Sequence, residues 1–83
     1  MMKYIIFKAE DTGELIPIIF PTIINHKKIS EKVKGLLSEA LLERVLPVSA
    51  GYTKITCQET FENSISLNLK SREEDVEIIN KNR

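Results

Sequence analysis

The sequence predicts an α+β domain: a four-stranded antiparallel sheet built of two hairpins, with one main helix, in the order ββαββα. Three observations carry that expectation. Lys3 to Ala9 and Glu14 to Phe20 are β-rich apolar runs flanking a polar turn. From Ile29 to Val45, apolar residues recur at three- and four-residue spacing. From Phe61 to Leu69, apolar and polar residues alternate.

The first hairpin turns through Glu10, Asp11, Thr12 and Gly13, where glycine is free to take positive φ. On its second strand, Ile16, Ile18 and Phe20 share one face, while Leu15 and Ile19 share the other. Pro17 has no N–H for a ladder bond, which assigns this strand to a sheet edge or a bulge. Both faces of the hairpin are apolar, so both need cover: the main helix on one side and a second copy of the chain on the other. A domain of this size buries only about 60–65% of its unfolded surface, which also favours a homo-oligomer.

Pro21 ends the hairpin. Ser30 is placed as the N-cap of a helix from Glu31 to about Val45, with Ile29, Val33, Leu36, Leu37, Ala40, Leu41 and Val45 as its apolar stripe. Gly35 inside it is explained by close packing against the sheet, and Pro47 closes the helix. Val48 to Cys57 is the third strand, with Ala50-Gly51 expected to bend or bulge it, and Phe61 to Leu69 the fourth. Ser71 and Glu74 have the spacing of a capping box, opening a short helix anchored by Val76, Ile78 and Ile79. No linker or repeat divides residues 1–83, which read as one domain.

Composition narrows the function classes. Twelve Lys and Arg balance twelve Asp and Glu, which argues against bulk DNA binding and against a polybasic membrane binder. Cys57 is the sole cysteine and His26 the sole histidine, so neither an internal disulfide nor a structural zinc site can be assembled, and no metal or cofactor is expected. The apolar stretch from Leu15 to Ile24 is broken by Pro17, Pro21 and Thr22, and the run Tyr4 to Phe7 is too short for a signal-peptide core. The expected location is the cytoplasm.

Asp11-Thr12-Gly13 matches the aspartic-protease triplet, yet Glu10 and Glu14 flank it in a hairpin turn, a setting for a solvated carboxylate rather than one sharing a proton. Cys57 and His26 form a nucleophile and base only by residue type, and Cys57 sits in strand-like sequence. No Ser occupies a Gly-x-Ser-x-Gly elbow. The chain therefore reads as a binding protein rather than an enzyme.

Three polar clusters are candidates for binding an anion. His26, Lys27 and Lys28, followed by Lys32 and Lys34, crowd the start of the main helix, where backbone N–H groups already favour negative charge. Lys70, Ser71 and Arg72 precede the second helix, with a guanidinium suited to bidentate phosphate contact. Ser49-Ala50-Gly51 offers small side chains that let a ligand approach the backbone. The sites so placed are His26, Lys27, Lys28, Ser49, Gly51, Lys70, Ser71 and Arg72. A solvated helix end, a simple cap and a bulged strand explain the same residues without a ligand. Acidic residues gather elsewhere, at Glu59, Glu62, Glu73, Glu74, Asp75 and Glu77. Such a dipolar chain suits self-association or docking on a basic partner.

Pro17-Ile18-Ile19-Phe20, His26, Pro47-Val48-Ser49-Ala50-Gly51 and Leu67-Asn68-Leu69-Lys70-Ser71-Arg72-Glu73-Glu74-Asp75 together resemble a family of small uncharacterised proteins of phages and prophages. The resemblance covers most of the chain. It implies a non-enzymatic protein that counters or modulates a host defence process by sequestering a phosphate-bearing nucleotide. The alternative is a protein–protein interaction module that inhibits a host or phage complex through its sheet surface or acidic patch.

Overall fold

The computed structural model describes residues 1–53, 60–61, 63–64 and 69–81. Along the chain these form β1 (Met2–Ala9), β2 (Leu15–Phe20), α1 (His26–Leu41), β3 (Val45–Thr53), β4 (Thr60–Phe61), β5 (Asn63–Ser64), β6 (Leu69–Lys70) and α2 (Glu74–Lys81). The class is α+β, and its body is an antiparallel sheet in which β1 lies between β2 and β3. β4 borders β3 through only the pairs Tyr52↔Phe61 and Thr53↔Thr60, and β5 pairs separately with β6. The expected fourth strand, Phe61 to Leu69, falls largely outside the described residues, as does Cys57.

The first hairpin forms where alternation places it. Gly13 takes φ 75°, and the Ala9 N–H donates to Glu14 O at 2.9 Å. Ladder bonds alternate, so Phe7/Ile16, Ile5/Ile18 and Lys3/Phe20 are the bonded pairs that follow. Pro17, opposite Ile6, then turns its donor-less nitrogen away from β1. β2 is the sheet edge, and Pro17 removes a donor from the middle of its open side.

Helix α1 begins earlier than Ser30. Asn25 is the N-cap, its side-chain oxygen accepting from the Lys27 N–H at 2.8 Å, and Ser30 lies buried within the helix. Asn and Ser cap about equally well, so the choice falls to packing, and a start at His26 keeps Ile29, Val33, Leu37 and Leu41 against the sheet. Leu36 and Ala40, expected on that stripe, are exposed. The helix stops at Leu42, in the left-handed region at φ 55°, so Val45 and Pro47 belong to β3. Gly35 touches nothing: a Cβ built there meets no atom within 4 Å, so close packing does not explain it.

β3 carries its irregularity two residues before the expected place. Ile6 pairs with Ser49 and Phe7 with Pro47, leaving Val48 as the extra residue, while Ser49, Ala50 and Gly51 pair regularly.

Two apolar cores result. Ile5, Phe7, Ala9, Phe20, Val45 and Ala50 form one with the inner stripe of α1. Tyr4, Ile6 and Ile79 form the other, flanked by Leu15, Val48 and Ile78. α2 therefore covers over β1 the face for which a second copy was expected. No helix among the described residues is long and apolar enough to cross a membrane.

Candidate functional site

Among the described residues, the carboxylate of Asp75 is the charged group in the interior, 0% exposed. Tyr4 on β1 donates its hydroxyl to Oδ2 at 2.5 Å, and Ser49 on β3 donates to Oδ1 at 2.9 Å. Arg72 donates its backbone N–H to Oδ2 at 2.9 Å and its Nε–H to Oδ1 at 3.1 Å. These four donors converge because β1 and β3 are neighbours, with Tyr4 and Ser49 on the α2 side. The Asp75 N–H in turn donates to Arg72 O at 3.1 Å. Thus the reciprocal cap at the start of α2 joins Arg72 and Asp75, one residue later than the expected Ser71–Glu74 box. A buried carboxylate requires such compensation, because an unpaired charge there is strongly unfavourable.

Ser49 and Arg72, two of the residues singled out for an anion, are therefore brought together by an anion that the chain itself supplies. Glu74 takes a further share of Arg72, at 2.9 Å from its Nη1. Lys70 is exposed on β6, and Ser71 is half-buried between them.

On the other face, His26 turns inward from the first position of α1. Its Nε2–H donates to Gly51 O at 3.0 Å, a bond that fixes the neutral tautomer. The ring stands edge-on between Phe20 and Tyr52, with centroids at 5.3 and 5.8 Å. Burial holds its pKa below the usual 6.5, and the Lys3 charge adds to that, against the opposing pull of the Gly51 and Tyr4 backbone bonds. Lys3 itself donates to Ile24 O at 2.9 Å, fixing the connection that leads into α1. His26 and Gly51 thus meet as packing partners. Lys27 and Lys28 point to solvent. The eight residues form two groups on opposite faces of the sheet, and a single chain does not join them.

The Asp11-Thr12-Gly13 triplet is an exposed turn. The N–H groups of Asp11 and Thr12 both donate to Glu43 Oε1 at 3.1 Å, which anchors the hairpin tip to the segment after α1. Among the described residues, no three His, Cys, Asp or Glu side chains group as metal ligands.

A groove of about 1160 Å³ lies between the hairpin tip and α2. Leu15, Val76 and Ile78 supply apolar walls, and among the described residues Glu14, Glu73 and Glu77 supply carboxylates against the ammonium of Lys81. Beside it lies a smaller hollow of about 260 Å³, where Lys8 and Arg72 face Glu74. Three residues of this region escaped sequence reasoning. Tyr4 carried a usable signal, a phenol in an apolar run whose hydroxyl needs a partner. Asp75 read as one more first-turn acid, and nothing local placed Glu14 beside α2. Comparisons with protein-family models, with curated proteins and with solved structures return no match.

Proposed function

We propose that this chain is a non-enzymatic binding module that docks a positively charged, apolar-anchored segment of another protein in the groove between the hairpin tip and α2. The observation that carries this reading is the groove itself: three carboxylates stand around an apolar floor, a combination that attracts Lys or Arg and repels a phosphate. The phage-type resemblance supplies the setting, a host or phage complex in the host cytoplasm held by stoichiometric capture. Labelled peptides carrying Lys or Arg around one apolar side chain test it by fluorescence anisotropy. Binding that weakens with salt and is lost in the Glu73→Lys, Glu77→Lys double variant, with the far-UV spectrum unchanged, is the expected result. No binding by any such peptide overturns the reading, and so does binding indifferent to those charges.

A second reading, capture of a phosphate-bearing nucleotide, is favoured by the hollow lined by Lys8 and Arg72. Asp75 and Glu74 already engage Ser49 and Arg72, so the ligand's phosphate would rest on Lys8. Lys27 and Lys28 would contribute only from another copy in a homo-oligomer. A thermal-shift panel of nucleotides and cyclic dinucleotides decides between the two. Stabilisation by a nucleotide that Lys8→Ala abolishes supports capture, and no shift from any member removes it.

A further inference from the structure

Opposite charges occupy opposite ends of β2. At the end that leads into α1, Lys27, Lys28 and Lys32 are exposed, no acidic residue stands in the first helical turn, and the helix dipole adds to the positive field. Ile23 stands beside them, 92% exposed. The hairpin-tip end holds the groove of Glu14, Glu73 and Glu77, with Leu15 in its wall. β2 is six residues long, so its ends are about 20 Å apart. α1 and α2 also lie on opposite faces of the sheet. The Ile23 knob therefore cannot reach the groove of its own chain.

We infer that the groove receives the Ile23–Lys28 segment of a second copy, with Ile23 entering between Leu15, Val76 and Ile78 while Lys27 and Lys28 meet Glu73, Glu77 and Glu14. This rests on the reading of the groove as a docking site for cationic segments. The usual route to self-association, strand addition at the open edge of β2, is disfavoured by Pro17, which leaves that edge without its central donor. Each copy offers one knob and one groove, so copies join head to tail or as a reciprocal pair. A foreign cationic segment would then compete with the chain's own neighbour, linking capture to disassembly.

Sedimentation velocity of the full chain over a concentration series, at low and high salt, tests the inference. Particles that grow with concentration and return to single chains in high salt are expected. Ile23→Asp alters only a solvent-exposed side chain, while Glu73→Lys with Glu77→Lys alters the groove rim and the start of α2, so an unchanged far-UV spectrum is its control. Each variant should weaken association about tenfold or more, through loss of the buried knob or reversal of two charge pairs. Mixed in equal amounts, the two variants retain one working groove and one working knob, so a complex of two chains and nothing larger should form. A parent chain that stays single at every concentration overturns the inference. Association that survives both sets of substitutions does the same. A single-chain parent that still binds the basic peptides in the groove removes the self-contact alone. Assembly that maps to the groove while every foreign peptide fails removes the docking of foreign segments and leaves the self-contact standing.

Discussion

The hydroxyl of Tyr4 donates to Asp75 Oδ2 across a separation of 71 residues, fastening the last helix to the first strand of the sheet. Ile79 and Ile78 add apolar contact to the same join, but the carboxylate sets where along β1 the helix docks. A short amphipathic helix alone is marginal in water, so α2 depends on this anchorage for its persistence.

Replacing Asp75 by Ala should lower stability by about 3 kcal/mol, because the hydroxyls of Tyr4 and Ser49 and the Arg72 head lose their shared acceptor. Ser49→Ala should cost about 1 kcal/mol, since three donors to the carboxylate remain. Urea denaturation followed by far-UV circular dichroism reads both, and equal midpoints for the two variants would count against the carboxylate as the anchor.

His26 makes stability depend on pH in a definite direction. Its folded-state pKa lies below the unfolded value, so the folded chain binds fewer protons through that interval. The contribution is complete above about pH 6.5, the unfolded-state value, and is lost as pH falls toward the folded value. Denaturation midpoints at pH 7.5 and 5.5 should therefore differ in the parent, and the gap should narrow in His26→Gln, which can keep the bond to Gly51 without titrating.

Gly35→Ala should stabilise the protein by about 1 kcal/mol, as helix propensity improves and the added methyl meets nothing within 4 Å. A higher melting temperature is the check; a lower one would place an unseen neighbour against α1.

Leu42→Gly should also stabilise, by about 1 kcal/mol. Leu42 holds φ 55° while 90% exposed, so its side chain contributes little packing in exchange for the left-handed conformation. Leu42→Ala, which keeps a Cβ, should gain nothing, and that contrast separates backbone strain from removal of an exposed apolar side chain.

Much of this architecture was legible in the sequence. The first hairpin, its Gly13 turn and the edge position of Pro17 follow from alternation and from proline's missing donor, both local properties. The bounds of α1 were not legible, because Asn25 and Ser30 are comparable caps and only contact with the sheet separates them. In the sequence Pro47 reads as a helix stop, although its missing N–H also suits a strand beside a bulge at Val48. The second face of the hairpin was rightly read as needing cover, but its cover is α2, whose eight residues gave a weak apolar signal. Site residues suffered most from distance. Ser49 and Arg72 do converge, on a partner that no spacing rule links to Tyr4, while His26 left the lysines beside it for the interior.

The middle position of β1 has a consequence for synthesis. β1 leaves the ribosome ahead of both its partners and finds β2 at once, through a four-residue turn, but its other edge stays open until Val45 to Thr53 has been made. Early in that interval, before His26 to Leu41 has been made, Tyr4, Ile5, Ile6 and Phe7, all fully covered in the finished molecule, have neither helix over them. The nascent hairpin is thus a sticky, half-paired ribbon whose only local safeguard is the proline on its far side. Slowing translation between codons 20 and 45 should raise the share of chain that aggregates, without altering the stability of the chain that folds.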